Sequence, residues 1–151
     1  EHFMEGLCDA QGVKLSDCFA NSFCLSADVS NAFDPNWPET CDKRNNSQLN
    51  YGVAICKYTG SRGKGGASDA SAEAMGHVRS TLDKAGVIWQ IATLGKVDQG
   101  GGGTVAAYVA NRNIVTVDAG VPVLSMHAPL ELVSKLDCYE TMLACKAIYL
   151  A

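Results

Sequence analysis

SAEAMGHVRSTLDKA, Ser71 to Ala85, runs through one glycine into VIWQIATL, Val87 to Leu94, and this pair of segments decides the fold class. Ala74, Val78 and Leu82 recur every four residues, which puts three apolar side chains on one face of a helix. Gly86 stands where a helix stops, and Ser68 or Asp69 is expected to cap its start. The stretch after Gly86 is short, apolar and rich in β-branched and aromatic residues, the composition of a buried strand. A helix feeding directly into a strand is the repeating unit of an α/β protein.

The same alternation continues outward in both directions. FANSFCLSA (Phe19 to Ala27) reads as a strand ending near Asp28, and YGVAICKY (Tyr51 to Tyr58) as a second strand. TVAAYVANR (Thr104 to Arg112) reads as a helix, IVTVDA (Ile114 to Ala119) as a strand, and Val121 to Met126 as extended chain. Pro129 is expected to open a helix that runs to the end, with Leu132, Leu136, Tyr139, Leu143 and Ala147 on its apolar face. The fold class implied is α/β: a mostly parallel sheet with helices on both faces, residues 1–151 forming one unit. EHFMEGLCDA reads as a helix entered partway, without a starting Met, the pattern expected of a fragment or a processed chain.

Bulk properties exclude several function classes. With 151 residues, 47% hydrophobic and 19% charged, the chain is long enough for one sizeable core. A net charge of −4 gives no reason to expect a nucleic acid or an anionic membrane as partner. No apolar run reaches membrane-spanning length, and no signal-peptide pattern is visible. The seven cysteines form no CxxC pair, so neither a zinc ribbon nor a redox motif is indicated. They read as reduced, buried, small apolar residues, which fits a cytoplasmic protein.

Ligands of such sheets gather beyond the carboxyl ends of the strands, and Asp28 and His127 each follow an apolar run there. A carboxylate at the end of a buried strand needs a partner or a metal, although a turn aspartate has the same signature. His127 closes VPVLSM; it has the chemistry of a metal ligand, and equally that of a structural histidine. His2 lies in the ragged start, and His77 is expected on an exposed helical face. SRGKGG fails the phosphate-loop pattern because Gly65 follows Lys64, so Arg62 and Lys64 read as solvated while Lys57 remains a candidate anion contact. The four glycines of GGGGT (Gly100 to Thr104) suit close approach by a ligand and suit a flexible connector equally well.

Four segments in order carry more than any one of them: SADVSNAFDPNWPE, YGVAICKYTGSRGKGG, LGKVDQGGGGTVA and VDAGVPVLSMHAP. This set resembles the aspartyl aminopeptidase and aminopeptidase I family of zinc metallopeptidases, from about Phe19 to the end. The resemblance implies a catalytic α/β domain interrupted by a second domain, two zinc ions, peptide substrates and a dodecameric homo-oligomer. It implies metal ligation by Asp28 of the SAD motif and His127 of the LSMH motif. Substrate contacts are implied for Lys57 and, from the glycine loop, Gly102, Gly103 and Thr104. The family commonly reads SAD-x-AHA-x-HPN, whereas Asn31 and Asp34 stand here in place of two histidines, which puts an acidic-residue preference in doubt. The family's first histidine ligand, bridging aspartate and Glu-Glu pair lie upstream of these motifs. No adjacent Glu-Glu pair occurs in this sequence, so the chain is expected to be the C-terminal portion of the catalytic domain, inactive alone, with exposed apolar surface where the remainder packs. The alternative is a non-catalytic remnant serving as a folding or assembly module.

Overall fold

The computed structural model describes residues 1–60, 62, 68–96 and 98–151, so the reading of Lys64 as a solvated side chain lies outside the described residues. Two short helices, α1 (His2–Gln11) and α2 (Leu15–Ala20), lead into β1 (Phe23–Ser26) and β2 (Ser30–Asn31). After a single 3-10 turn at Pro38–Thr40 come β3 (Val53–Cys56), α3 (Ala72–Ala85), β4 (Trp89–Ala92) and α4 (Ala106–Ala110). β5 (Val115–Gly120), β6 (Pro122–Leu124), β7 (Leu132–Val133) and α5 (Lys135–Tyr149) complete the chain.

The main sheet has the order β1-β5-β3-β4. Its β1–β5 and β3–β4 pairs are parallel, and its β3–β5 pair is antiparallel. The mostly parallel α/β architecture is therefore as the sequence implies. Two central strands are buried on both faces. Val53 and Ile55 of β3, with Val117 and Ala119 of β5, join Ala74, Met75, Val78 and Leu82 of α3 and Ala144 of α5 in the principal core. The alternate side chains point the other way, where Ala54, Cys56 and Ala92 form a small second cluster. α3 and α5 thus cover one face, while α4 rests against β5 and its entry loop reaches the opposite face through Thr104. A second small sheet, β2-β6-β7, is absent from the sequence reading. Its strands are only two or three residues long, too short for a periodicity to declare them.

Several elements start or stop within a few residues of the sequence expectation, and three of the differences have a visible physical cause. Phe19 and Ala20 end helix α2 instead of opening β1. Asn21 Nδ2 donates to Asp17 O at 2.8 Å and Ser22 Oγ to Cys18 O at 2.6 Å, satisfying carbonyls of the last turn and closing the helix there. The cap of α3 is Ser71, whose Oγ accepts from Ala74 N at 3.1 Å; neither Ser68 nor Asp69 serves.

The third difference is the largest. Pro129 does not begin α5; Leu132 and Val133 pair with β6, and Ser134 caps the helix by accepting from Leu136 N and Asp137 N. The inward face of α5 follows the apolar stripe read from spacing only in its second half, where Leu143 and Ala147 pack against the core. Asp137, Glu140 and Ala144 are buried, whereas Leu136 and Tyr139 are 48% and 54% exposed. Backbone donors at the ends of two strands decide this. Asp137 accepts from Asn50 N at 2.8 Å and Gly52 N at 2.9 Å, and Glu140 accepts from Ile88 N at 2.9 Å. A buried N–H without an acceptor costs about 1–3 kcal/mol, comparable with what one exposed leucine forfeits, and the two carboxylates satisfy three backbone donors at once. Asp137→Ala is accordingly expected to lower stability by about 3 kcal/mol and Asp137→Asn by less, read from denaturant midpoints. Unchanged midpoints would remove the clamp from the account.

All seven cysteines are free thiols. Cys8, Cys41 and Cys56 are buried and Cys18, Cys24 and Cys145 half-buried, but Cys138 is exposed on α5, against the expectation of burial. Burial pushes the Cys56 thiol up to about 11, partly offset by Ser30 Oγ, 3.6 Å away. At pH 8 a maleimide is expected to modify Cys138 within minutes and to spare Cys56 until the protein unfolds. Early labelling of the peptide that carries Cys56 would contradict that burial.

Candidate metal and substrate site

Parallel pairing of β1 with β5 sets Ser26 opposite Asp118, so both strands end on the same rim of the sheet. Asp28 follows β1 by two residues. Its Oδ1 accepts from Val29 N at 2.8 Å, which orients the carboxylate and leaves Oδ2 free of any hydrogen bond among the described residues. The backbone of Asp28 is pressed against β5: a Cβ on Gly120 would stand 1.6 Å from Asp28 O. β2 then pairs in parallel with β6, Ser30 opposite Pro122 and Asn31 opposite Val123. His127 lies three residues beyond β6, its side chain exposed.

The turn that carries His127 is strained. Ser125 and His127 have φ of 58° and 67°, the left-handed region that β-carbons disfavour. The turn is held by Ala128 N donating to Ser125 O at 2.9 Å and by His127 N donating to Glu131 Oε1. Strained non-glycine backbone concentrates at functional sites, and here it carries the exposed His127.

The tetraglycine segment is no loose connector. Gly60 N donates to Gly102 O at 2.7 Å and Arg62 N to Gly100 O at 3.2 Å, so the loop after β3 zips onto it. Gly101 has φ of 95°, and a Cβ there would stand 2.4 Å from Gly60 O and 2.8 Å from Leu94 O. The glycines allow two backbones to pack side by side. The segment then separates two neighbouring cavities. One is lined by His127 with Asn31, Leu94, Gly101 and Gly102; the other by Asp28 with Gly103, Thr104, Tyr108 and Asn111.

The structure thus places Gly102 with His127 at one cavity and Gly103 and Thr104 with Asp28 at the other. Lys57 lines neither cavity; its ammonium donates to Asp69 and, at 3.0 Å, to Ala70 O. Asn31, which stands at a position of the family's usual histidines, does line the cavity of His127. His77 is exposed as expected and meets Phe23 edge-on, ring centroids 5.6 Å apart.

Asp118 escapes the sequence reading. It is 5% exposed, and its two carboxylate oxygens each lie 3.0 Å from Thr104 Oγ1. Burial raises its pKa, the Ser26, Thr104 and Ser68 hydroxyls lower it, and the neighbouring charge of Asp28 raises it. The available signal is the two-residue alternation of IVTVDA. Val117 and Ala119 face the helices, which leaves Thr116 and Asp118 to form a polar row on the other face.

The α/β rim offers a carboxylate and an imidazole beside a glycine loop, beyond the strand ends where sheets of this class bind ligands. Residues 4–149 match the model of the aminopeptidase I zinc metalloprotease (M18) family, and the chain belongs to that family. It is 52% identical over 133 residues to a probable M18 family aminopeptidase 1 of Clostridium acetobutylicum, which covers 88% of this chain and 29% of that protein. Its counterpart from Thermotoga maritima is 46% identical over 145 residues, 96% of this chain and 32% of that protein. The chain therefore spans about a third of the length of these relatives. The crystal structure of the T. maritima M18 aminopeptidase superposes with a TM-score of 0.89 at 43% identity, over 97% of this chain and 34% of that one. Aminopeptidase I from C. acetobutylicum gives 0.86 at 48% identity, over 93% and 31%.

Proposed function

We propose that this chain is the C-terminal portion of the catalytic domain of a zinc-dependent aminopeptidase that removes N-terminal residues from peptides. The observation that carries the reading is the placement of Asp28 and His127 at two neighbouring cavities joined by the glycine loop. A carboxylate oxygen and an imidazole nitrogen are both donors that zinc accepts. The fit is partial, because no group of three or more His, Cys, Asp or Glu suited to a metal occurs among the described residues. A catalytic zinc takes three protein ligands. The missing ligands and the glutamate base are assigned to the upstream part of the domain, which makes this chain inactive by itself.

Zinc, when bound, supplies a polarised scissile carbonyl and an activated water. This chain contributes orientation. The Val29 N–H fixes the rotation of Asp28 so that Oδ2 is presented for ligation. The left-handed turn at His127 commits its backbone N–H to Glu131 and leaves the ring exposed. Gly102, Gly103 and Thr104 form the wall against which the peptide is laid. Lys57 binds substrate only by exchanging its bond to Asp69, an exchange within reach of a side chain at the surface. With Asn31 in the His127 cavity, a neutral amide stands where the family commonly carries histidine, which favours no acidic N-terminal residue. The protein is read as cytoplasmic and homo-oligomeric, with neither nucleic acid nor membrane as partner; no described helix is long and apolar enough to cross a membrane. The S. cerevisiae mApe1 dodecamer shares the fold at 19% identity and a TM-score of 0.70, and a dodecamer is the assembly proposed.

The test is hydrolysis of a panel of aminoacyl p-nitroanilides with added zinc, by the chain alone and by the longer polypeptide the reading requires. The chain alone is expected to be inert, and the longer protein active and chelator-sensitive. Turnover by the chain alone would overturn the incomplete-site argument. An inert longer protein would favour the folding or assembly module instead.

A further inference from the structure

The polar row on β5 has a use that the two ligands do not exhaust. Asp118 lines neither cavity, yet it is bonded to Thr104, which lines the one containing Asp28. In front of it, the Thr104 hydroxyl gives its single proton to the carboxylate, 3.0 Å from either oxygen. The same hydroxyl accepts from Ala106 N at 3.2 Å, which ties it to the first turn of α4. Beside it in register stands Ser26, the last residue of β1, with a buried hydroxyl that has no well-formed hydrogen bond among the described residues. Two residues further along β5, Gly120 is in contact with the backbone of Asp28. An ionised carboxylate only accepts, so it takes the Thr104 proton and brings no donor of its own that would need a partner, as an amide would.

We infer that Asp118 is a positioning residue: acting through Thr104, it sets the Gly102–Thr104 wall at a fixed height above the strand ends that carry Asp28, and so controls how a peptide is seated. The inference rests on the aminopeptidase reading, and it changes the part given to Thr104. With its proton committed to Asp118, the Thr104 hydroxyl serves the loop, and the substrate meets the backbone of Gly102 and Gly103. A wall that moves by about 1 Å spoils the alignment of a bound substrate. Because the wall contacts the peptide before and during reaction alike, its displacement falls mainly on binding.

The test uses the longer, zinc-loaded protein with Asp118→Asn, Thr104→Val, Thr104→Ser and the Asp118→Asn/Thr104→Val double variant. Asp118→Asn and Thr104→Val are each expected to raise KM about tenfold, with kcat falling less than KM rises and zinc stoichiometry unchanged. The double variant should be no worse than either single one, because both break the same link. Thr104→Ser, which keeps the hydroxyl, should recover most of the loss. Hydrogen exchange gives a reading independent of activity: amides from Gly101 to Ala106 are expected to exchange at least tenfold faster in Asp118→Asn and Thr104→Val, with α3 and α5 as protected as before. Additive effects, loss of zinc, or unchanged exchange in the loop would each overturn the assignment. If the unaltered protein hydrolyses no peptide, the aminopeptidase reading fails on its own, and the exchange data still decide whether Asp118 holds the loop.

Discussion

Gly120→Ala is expected to cost about 3 kcal/mol or more in stability and to remove zinc from the site together with activity. The new Cβ would overlap Asp28 O at 1.6 Å, and Val29 N would stand 3.3 Å away. No side-chain rotation relieves a clash between two backbones, so either β5 or the segment after β1 must shift by more than 1 Å. β5 is the less able to move, being hydrogen-bonded to β1 on one side and to β3 on the other, where Gly120 pairs with Ala54. The Asp28 segment yields, and the carboxylate moves with it. Melting temperature and zinc content of the longer protein are the measurements. An alanine variant with wild-type values of both would mean that the close approach plays no part in placing Asp28.

The second large effect is separated from folding. His127→Ala and Asp28→Ala are each expected to lower kcat/KM by a factor of about 1000 or more, close to 4 kcal/mol of transition-state stabilisation. Zinc content should fall in parallel. His127 is exposed and Asp28 half-exposed, and each lends its side chain at most a local bond, so stability should move by no more than about 0.5 kcal/mol. Retained zinc and retained turnover in either variant would remove that residue from the metal site. The pair of experiments is informative in combination: Gly120→Ala damages both fold and site, whereas the ligand variants damage the site alone.

How far the sequence reading reaches can be followed element by element. Helix α3 is legible in its apolar spacing and its terminal glycine because both are local, while its cap is Ser71 and not the Ser68 or Asp69 read from sequence. β3 to β5 are legible as short apolar runs, with ends misjudged by a few residues. α5 is the instructive failure. Its spacing offers an apolar stripe that Leu143 and Ala147 follow onto the core, yet the first turns bury Asp137 and Glu140, because backbone N–H groups at Asn50, Gly52 and Ile88 lie across from them. Nothing within the helix announces donors that are separated from it by 52 to 87 residues.

The site divides along the same line. Asp28, His127 and the glycines could be named from ordered motifs, because each motif is a short local string. The reason for the four glycines could not, since it is the approach of Gly60 and Leu94 from other segments. Asp118 is not legible in the sequence, because a lone carboxylate inside IVTVDA has no meaning until Ser26 and Thr104 are brought to it. The sequence alone thus determined the α/β class, the family and the two candidate ligands, all carried by periodicity and short strings. Only the tertiary structure decided which polar groups are buried and what they hold, because a buried donor or acceptor is satisfied by whatever the fold places opposite it, and that partner is chosen by packing across the chain.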